Sequence, residues 1–117
     1  MEQLHVFGLE KTLMTFSAGH TIFHKGDLAD KMYIVKEGEV DIFLGETCVE
    51  TLTRNGSFGE MALLDASSRS ATAVAKTDCR LFAIDERHFL SHLRRTPVFA
   101  IQIMRILADR LRQQTAY

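Results

Sequence analysis

The sequence predicts a mainly β domain closed by C-terminal helices, and three observations carry that expectation. Five of the seven glycines (Gly8, Gly19, Gly26, Gly38 and Gly45) fall at intervals of 7–12 residues through the first half. Regular turn signals between short apolar segments mark an all-β sandwich or barrel. The segments between those turns are rich in β-forming residues. After Asp85 the apolar residues switch to helical spacing.

Taken in order, Thr21 to His24 reads as a strand and Lys25-Gly26-Asp27 as the turn that ends it. Lys31 to Lys36 is a short apolar run that stops before Glu37-Gly38. From Gly38 to Leu44, Val40, Ile42 and Leu44 share one face, and Glu39, Asp41 and Phe43 the other. Cys48 to Thr53, Ser70 to Ala75 and Cys79 to Ile84 complete the strands, with Asn55-Gly56 as turn chemistry. Asp85 is a good N-cap for a helix carrying Phe89, Leu90 and Leu93. Thr96-Pro97 restarts the chain, because Thr caps and Pro is tolerated at the first helical position. From Val98 to about Gln113 a second helix is expected. Its stripe is Ala100, Met104, Leu107 and Leu111, widened by Ile103 and Ile106. So wide a stripe calls for cover from the barrel, a partner helix, or both. Residues 1–117 thus form one domain, a barrel over about 11–84 and helices over about 85–114, with no linker, repeat or low-complexity tract.

Bulk properties exclude several classes. Fourteen basic against fifteen acidic side chains leave a net charge of -1, not the basic excess of a general nucleic-acid binder. Arg87, Arg94, Arg95, Arg105, Arg110 and Arg112 gather near the C-terminus and read as solvated helix faces. Cys48 and Cys79 form neither a C-x-x-C nor a disulfide framework. Met1 opens no signal peptide, and no stretch reaches membrane-spanning length. A soluble, cytoplasmic protein without a membrane partner is expected. His20 and His24 flank a strand at even spacing, but a metal needs three or four converging ligands, so no metal is expected. His88 and His92 stand at i, i+4 and read as surface histidines. No Ser-His-Asp or Cys-His pattern stands out, so the chain is read as no enzyme.

The stretch FGEMALLDASSRSATA, residues 58–73, carries the functional signal. It sets Glu60 and Arg69 among small residues, Gly59 and Ala62 on one side and Ser70 and Ala71 on the other. Small side chains let a ligand approach the backbone. Met61 to Leu64 suits a single helical turn whose first amides point outward and can seat an anion. A guanidinium grips phosphate with two parallel hydrogen bonds, and Ser70 can add a hydroxyl. Glu60 cannot serve phosphate, since like charges repel and an ionised carboxylate only accepts hydrogen bonds; its natural partner is a hydroxyl pair or a single ribose hydroxyl. A singly charged phosphate beside one free hydroxyl describes a 3′,5′-cyclic nucleotide, whereas a 5′-nucleotide brings more charge next to Glu60. The bland alternative is a structural Glu60–Arg69 salt bridge.

These residues resemble a known family. Phe58-Gly59-Glu60-Met61-Ala62-Leu63-Leu64 followed by Arg69-Ser70-Ala71-Thr72-Ala73 looks like the phosphate-binding cassette of cyclic nucleotide-binding domains, the superfamily of the catabolite activator protein, protein kinase A regulatory subunits and cyclic-nucleotide-gated channels. Upstream, Phe23-x-x-Gly26-Asp27, Tyr33-Ile34-Val35 and Gly38-x-Val40 resemble the same family's barrel signature. The resemblance spans about Thr15 to Arg112 and implies a cupin-like jelly-roll barrel. It implies Glu60 on the ribose 2′-hydroxyl, Arg69 and the amides of Met61 and Ala62 on the cyclic phosphate, and Ser70 at a phosphate and base contact. The residue before the arginine is often proline in the family and is Ser68 here, a change that loosens the loop by about 0.4–1 kcal/mol. In the family, threonine after the arginine favours cyclic GMP and alanine cyclic AMP; Ser70 lies between, and cyclic AMP is the expectation with cyclic GMP the alternative. In the C-terminal helix, Ile103, Met104, Leu107, Arg110 or Tyr117 is expected to close over the purine. With no helix-turn-helix after Tyr117, no DNA binding by this chain is expected. The resulting expectation is a stand-alone bacterial sensor that binds cyclic AMP. It passes a helix movement to an unknown downstream protein, or to a homodimer formed through that helix. The runner-up is a ligand-free interaction module of the same fold, and the third reading is a cupin-type metal-binding protein.

Overall fold

The computed structural model describes residues 4–64 and 68–113. Eight strands form two antiparallel four-stranded sheets: β1 (Leu13–Phe16), β2 (Thr21–Phe23), β3 (Lys31–Glu37), β4 (Val40–Leu44), β5 (Thr47–Leu52), β6 (Ser57–Phe58), β7 (Thr72–Ala75) and β8 (Cys79–Asp85). A single helical turn, α1 (Met61–Leu64), interrupts them, and α2 (Glu86–Arg95) and α3 (Pro97–Gln113) follow. The sheet orders β1-β8-β3-β6 and β2-β7-β4-β5 make a jelly-roll sandwich. Sequence alone left β1 and the 3-10 turn before it, Glu10–Thr12, unassigned. The pattern is weak there because β1 is only partly buried at its two ends.

Two cores explain why the strands read as they do. Between the sheets lie Phe23, Tyr33, Val35, Val40, Ile42, Leu52, Phe58 and the alanines of β7. On the outer face of the first sheet, Met32, Ile34, Phe82 and Ile84 meet Phe99 and Ile103 of α3, with Leu4 and Leu9 from the N-terminal segment. Strands β3 and β8 are therefore covered on both faces, which is why they are continuous apolar runs instead of alternating ones. In β4 the alternation holds for Val40 and Ile42, both fully buried, and fails at Leu44, which is 48% exposed. The register between β4 and β5 slips between Ile42 and Phe43, and such a bulge bends a strand away from its neighbours.

The helices correct three expectations. Asp85 caps α2 as expected, its carboxylate accepting from the His88 amide at 2.8 Å. His92, read as a surface residue, is buried. Its ring stands edge-on to Phe99 at 4.6 Å, and Nε2 lies against the His5 carbonyl. The broad stripe of α3 divides into two faces. Phe99, Gln102, Ile103 and Arg110 are buried, with Ile106 and Leu107 packed beside them, while Met104 and Leu111 face outward. Fully burying a side chain such as Phe99 contributes about 1.5–3 kcal/mol, which fixes the rotation of α3 and delivers its last turn to β6. Arg110, read as part of a solvated face, is buried there.

Candidate functional site

The backbone brings three sequence segments together. Arg69 donates its amide to the Asp27 carbonyl (2.7 Å) and accepts from the Gly26 amide (2.9 Å), so the Gly26-Asp27 turn and the cassette are clipped to each other. Leu28 and Ser68 form an isolated antiparallel bridge beside this clip. On the other side β6 ends at Phe58, and Gly59 turns the chain at φ 77°. A Cβ at Gly59 would stand 2.7 Å from Arg69 Nη1 and 3.3 Å from the Lys31 carbonyl oxygen. Glycine is required twice, for the left-handed backbone and for room. Within α1 the Ala62 amide donates to the Gly59 carbonyl (3.2 Å) and the Leu63 amide to the Glu60 carbonyl (3.0 Å).

Arg69 is 6% exposed and has no carboxylate within ion-pair distance among the described residues. Its Nη2 donates to the Lys31 carbonyl (2.7 Å) and its Nη1 to the Gly59 carbonyl (3.4 Å), while Nε is buried with no partner. The guanidinium carbon lies 4.1 Å from the centre of the Phe23 ring and 5.8 Å from that of Tyr33. Burial pushes the Arg69 group below its ordinary value, and the charges of Tyr33, Asp30, Asp27 and Glu60 oppose that. A buried cation with an open donor and no counter-charge in contact is costly by itself. It is well placed for an anion.

Glu60 is 1% exposed and does not pair with Arg69. One carboxylate oxygen, Oε2, accepts from Arg110 Nη1; the other, Oε1, is buried without a partner. Arg110 Nη2 also donates to the Ser57 carbonyl, tying α3 to β6. A second carboxylate joins from β5, where Glu50 Oε1 lies 4.0 Å from Arg110 Nη2. Burial holds the Glu50 carboxyl above the usual carboxylate range, Arg110 pulls it down, and Glu60 raises it further. The two cassette charges are thus held apart, each with one polar atom left over. The simple salt-bridge reading of the sequence does not describe this arrangement.

A cyclic nucleotide-binding domain family model matches residues 13–96. The chain belongs to the cyclic nucleotide-binding domain family. Similar proteins include the cyclic AMP receptor protein of Thermus thermophilus, 40% identical over 103 residues, covering 84% of this chain and 48% of that protein. Another is the cAMP-dependent protein kinase regulatory subunit of Eremothecium gossypii, 44% identical over 86 residues, 74% of this chain and 18% of that one. The crystal structure of the Thermus thermophilus catabolite activator protein superposes with a TM-score of 0.81 at 36% identity, covering 87% of this chain and 50% of that one. The chain therefore spans half or less of the length of these relatives.

Within this cyclic nucleotide-binding domain, Gly59, Glu60, Met61, Ala62, Arg69, Ser70 and Ala71 lie in the one segment that joins β6 to β7. Glu60, Arg69 and Ala71 are buried, and Ser70 is exposed. Of the residues expected to cover the purine, Arg110 reaches the site. Ile103 and Leu107 pack into the helix–sheet core, Met104 faces away, and Tyr117 lies outside the described residues. Glu50 and Ser57 went unrecognised. The one sequence cue for Glu50 is an acid two residues before the core residue Leu52, on the inward face of β5. Among the described residues no three His, Cys, Asp or Glu side chains gather as around a metal ion, and no helix is long and apolar enough to cross a membrane.

Proposed function

We propose that this domain binds a 3′,5′-cyclic nucleotide, cyclic AMP in the first place, and acts as a regulatory module without catalytic activity. The observation that carries the reading is the separation of its two buried charges. Among the described residues Arg69 faces no carboxylate and keeps Nε open, while Glu60 keeps Oε1 open with Oε2 already on Arg110. A cyclic phosphate supplies the anion that Arg69 lacks, and the ribose 2′-hydroxyl supplies the donor that Glu60 Oε1 lacks. The amide of Met61 and the hydroxyl of Ser70 add to the phosphate side, and that of Ala62 does so by sharing its bond to Gly59. The names of the relatives, a cyclic AMP receptor and a cAMP-dependent kinase subunit, support adenine over guanine.

Arg110 gives the signal its route. It belongs to α3 and holds the carboxylate that meets the ribose, so occupancy at Glu60 biases the position of α3 to the extent that the ligand favours one position over another. The outward face of α3 then carries the change to a second copy or to a separate partner protein. Calorimetric titration with cyclic AMP, cyclic GMP and 5′-AMP tests the reading. Saturable heat with a cyclic nucleotide, weaker binding of 5′-AMP, and loss of roughly a hundredfold or more in affinity in Arg69→Ala are expected, a charged hydrogen-bonding pair at a buried site being worth several kcal/mol. No binding by the wild type, or unchanged affinity in that variant, would overturn it.

A further inference from the structure

Beside the Glu60–Arg110 pair lies a cavity of about 490 Å³ bounded by Glu50, Leu52, Ser57, Gln102, Ile106 and Arg110. That volume falls within the roughly 300–1,000 Å³ of small-molecule sites. Its polar groups are unevenly satisfied. Ser57 is 2% exposed with its hydroxyl unpartnered, and Glu50 Oε1 is likewise buried without a hydrogen-bond partner. Glu50 points into the roll because it shares a strand face with the core residue Leu52 and stands opposite Ile42 of β4, which is fully buried. The Glu50 side chain keeps 37% of its surface exposed, but its Oε1 is buried, and a buried carboxylate oxygen is costly unless something donates to it. Arg110 is 4.0 Å away and directs its Nη1 to Glu60 and its Nη2 to Ser57, so it does not complete Glu50.

With the ribose on Glu60, the base attached to it has this cavity as its neighbour, and a carboxylate oxygen left without a donor there favours a base edge that presents N–H over one that presents none. We propose that Glu50 is a specificity-determining residue: its carboxylate accepts a hydrogen bond from the 6-amino group of adenine, with Ser57 and Arg110 forming the adjoining wall. The inference rests on the cyclic AMP reading above and deepens it, naming the group on the base that the site recognises. Arg110 then links the two ends of the nucleoside's site, holding the carboxylate for the ribose and lying beside the carboxylate for the base.

The test compares cyclic AMP with purine riboside 3′,5′-cyclic monophosphate, which has hydrogen in place of the 6-amino group, by calorimetry on the full chain. The wild type is expected to prefer cyclic AMP by about tenfold or more, the usual weight of a hydrogen bond to a charged group. Glu50→Ala brings the ratio of the two affinities to about one. Glu50→Gln keeps the volume and one neutral acceptor, and retains part of the preference. A preference unchanged in both variants, or an equal fall for both nucleotides, shows that Glu50 serves only to position Arg110 and overturns the proposal. Binding of both nucleotides by the wild type without discrimination overturns it too. Binding of neither removes the nucleotide reading itself and is thereby distinguished from failure of the Glu50 role alone.

Discussion

Arg110 of α3 and Glu60 at the head of α1 stand 50 residues apart in the chain and in direct contact, with 8% and 1% of their surfaces exposed. A pair this dry is poor evidence of net stabilisation, because two desolvated charges offset most of their attraction. Its removal by halves is another matter. Arg110→Ala leaves a carboxylate buried with neither oxygen matched to a cation, and such a loss costs about 3–5 kcal/mol. Urea unfolding of Arg110→Ala is expected to show a fall of that size. The double variant Arg110→Met, Glu60→Gln recovers most of it, since neither charge is then stranded. Measured against the single variants Arg110→Met and Glu60→Gln, additive losses in that cycle would contradict direct coupling.

Gly59→Ala tests the close approach of the cassette backbone to Arg69. The added methyl meets a left-handed φ of 77° and a guanidinium nitrogen at 2.7 Å. The backbone strain alone costs about 1–3 kcal/mol. The arginine must also leave its seat on the Gly59 and Lys31 carbonyls. Chemical denaturation and nucleotide titration are expected to fall together in this variant. A loss of stability with unchanged affinity would show that the seat of Arg69 is not what the ligand uses.

Much of this geometry is legible in residue order, and the rest is not, for physical reasons. Gly59, Glu60 and Arg69 can be picked out because their types have few alternative uses among so many small neighbours. The strands show because turn glycines and β-formers are local signals. Arg110 and Glu50 act through contacts across 50 residues and across a cavity, and no local pattern records those. An arginine near a C-terminus looks solvated until the rotation of α3 is known, and Phe99 and Ile103 set that rotation through tertiary packing. His92 hides in the same way: its i, i+4 spacing with His88 is indifferent to which of the two faces the core. Exposed apolar residues on α3 mislead in the other direction, since Met104 and Leu111 belong to the same stripe in sequence and to a different face in space.

At the start of α2, Asp85 predicts a pH dependence. Its carboxylate accepts from the His88 amide and contacts His88 Nδ1, both at 2.8 Å. The amide bond holds its carboxyl below the usual aspartate range, burial opposes it, and the His88 side chain adds a lesser pull in the same direction as the amide. A depressed folded-state value means the cap contributes its full stability above the unfolded aspartate value, about 3.9, and loses it as pH falls through the folded-state value. Asp85→Ala is expected to cost about 0.5–2 kcal/mol at neutral pH, the usual worth of an N-cap. Thermal unfolding of both proteins from pH 7 downward checks this. The gap between them closes below about pH 4, and a gap that persisted at the acid end would mean the side chain acts by something other than its charge.

The outward face of α3 makes the last prediction. Ile101, Met104 and Leu111 are 47%, 59% and 64% exposed, and Ala108 lies between the latter two. Their spacing of three, four and three is the a/d repeat of a two-stranded helical seam. Large exposed apolar side chains lined up on one helix cost little in a monomer, but in a dimer they bury area at about 25 cal/mol per Å². Sedimentation equilibrium is therefore expected to show self-association of the wild type, and Met104→Glu to shift it to monomer. Because Met104 touches neither core, that substitution should leave the monomer's unfolding free energy within about 0.5 kcal/mol. If the wild type stays monomeric at every concentration, this face serves a different protein, and the helix movement proposed for Arg110 must be read by that partner.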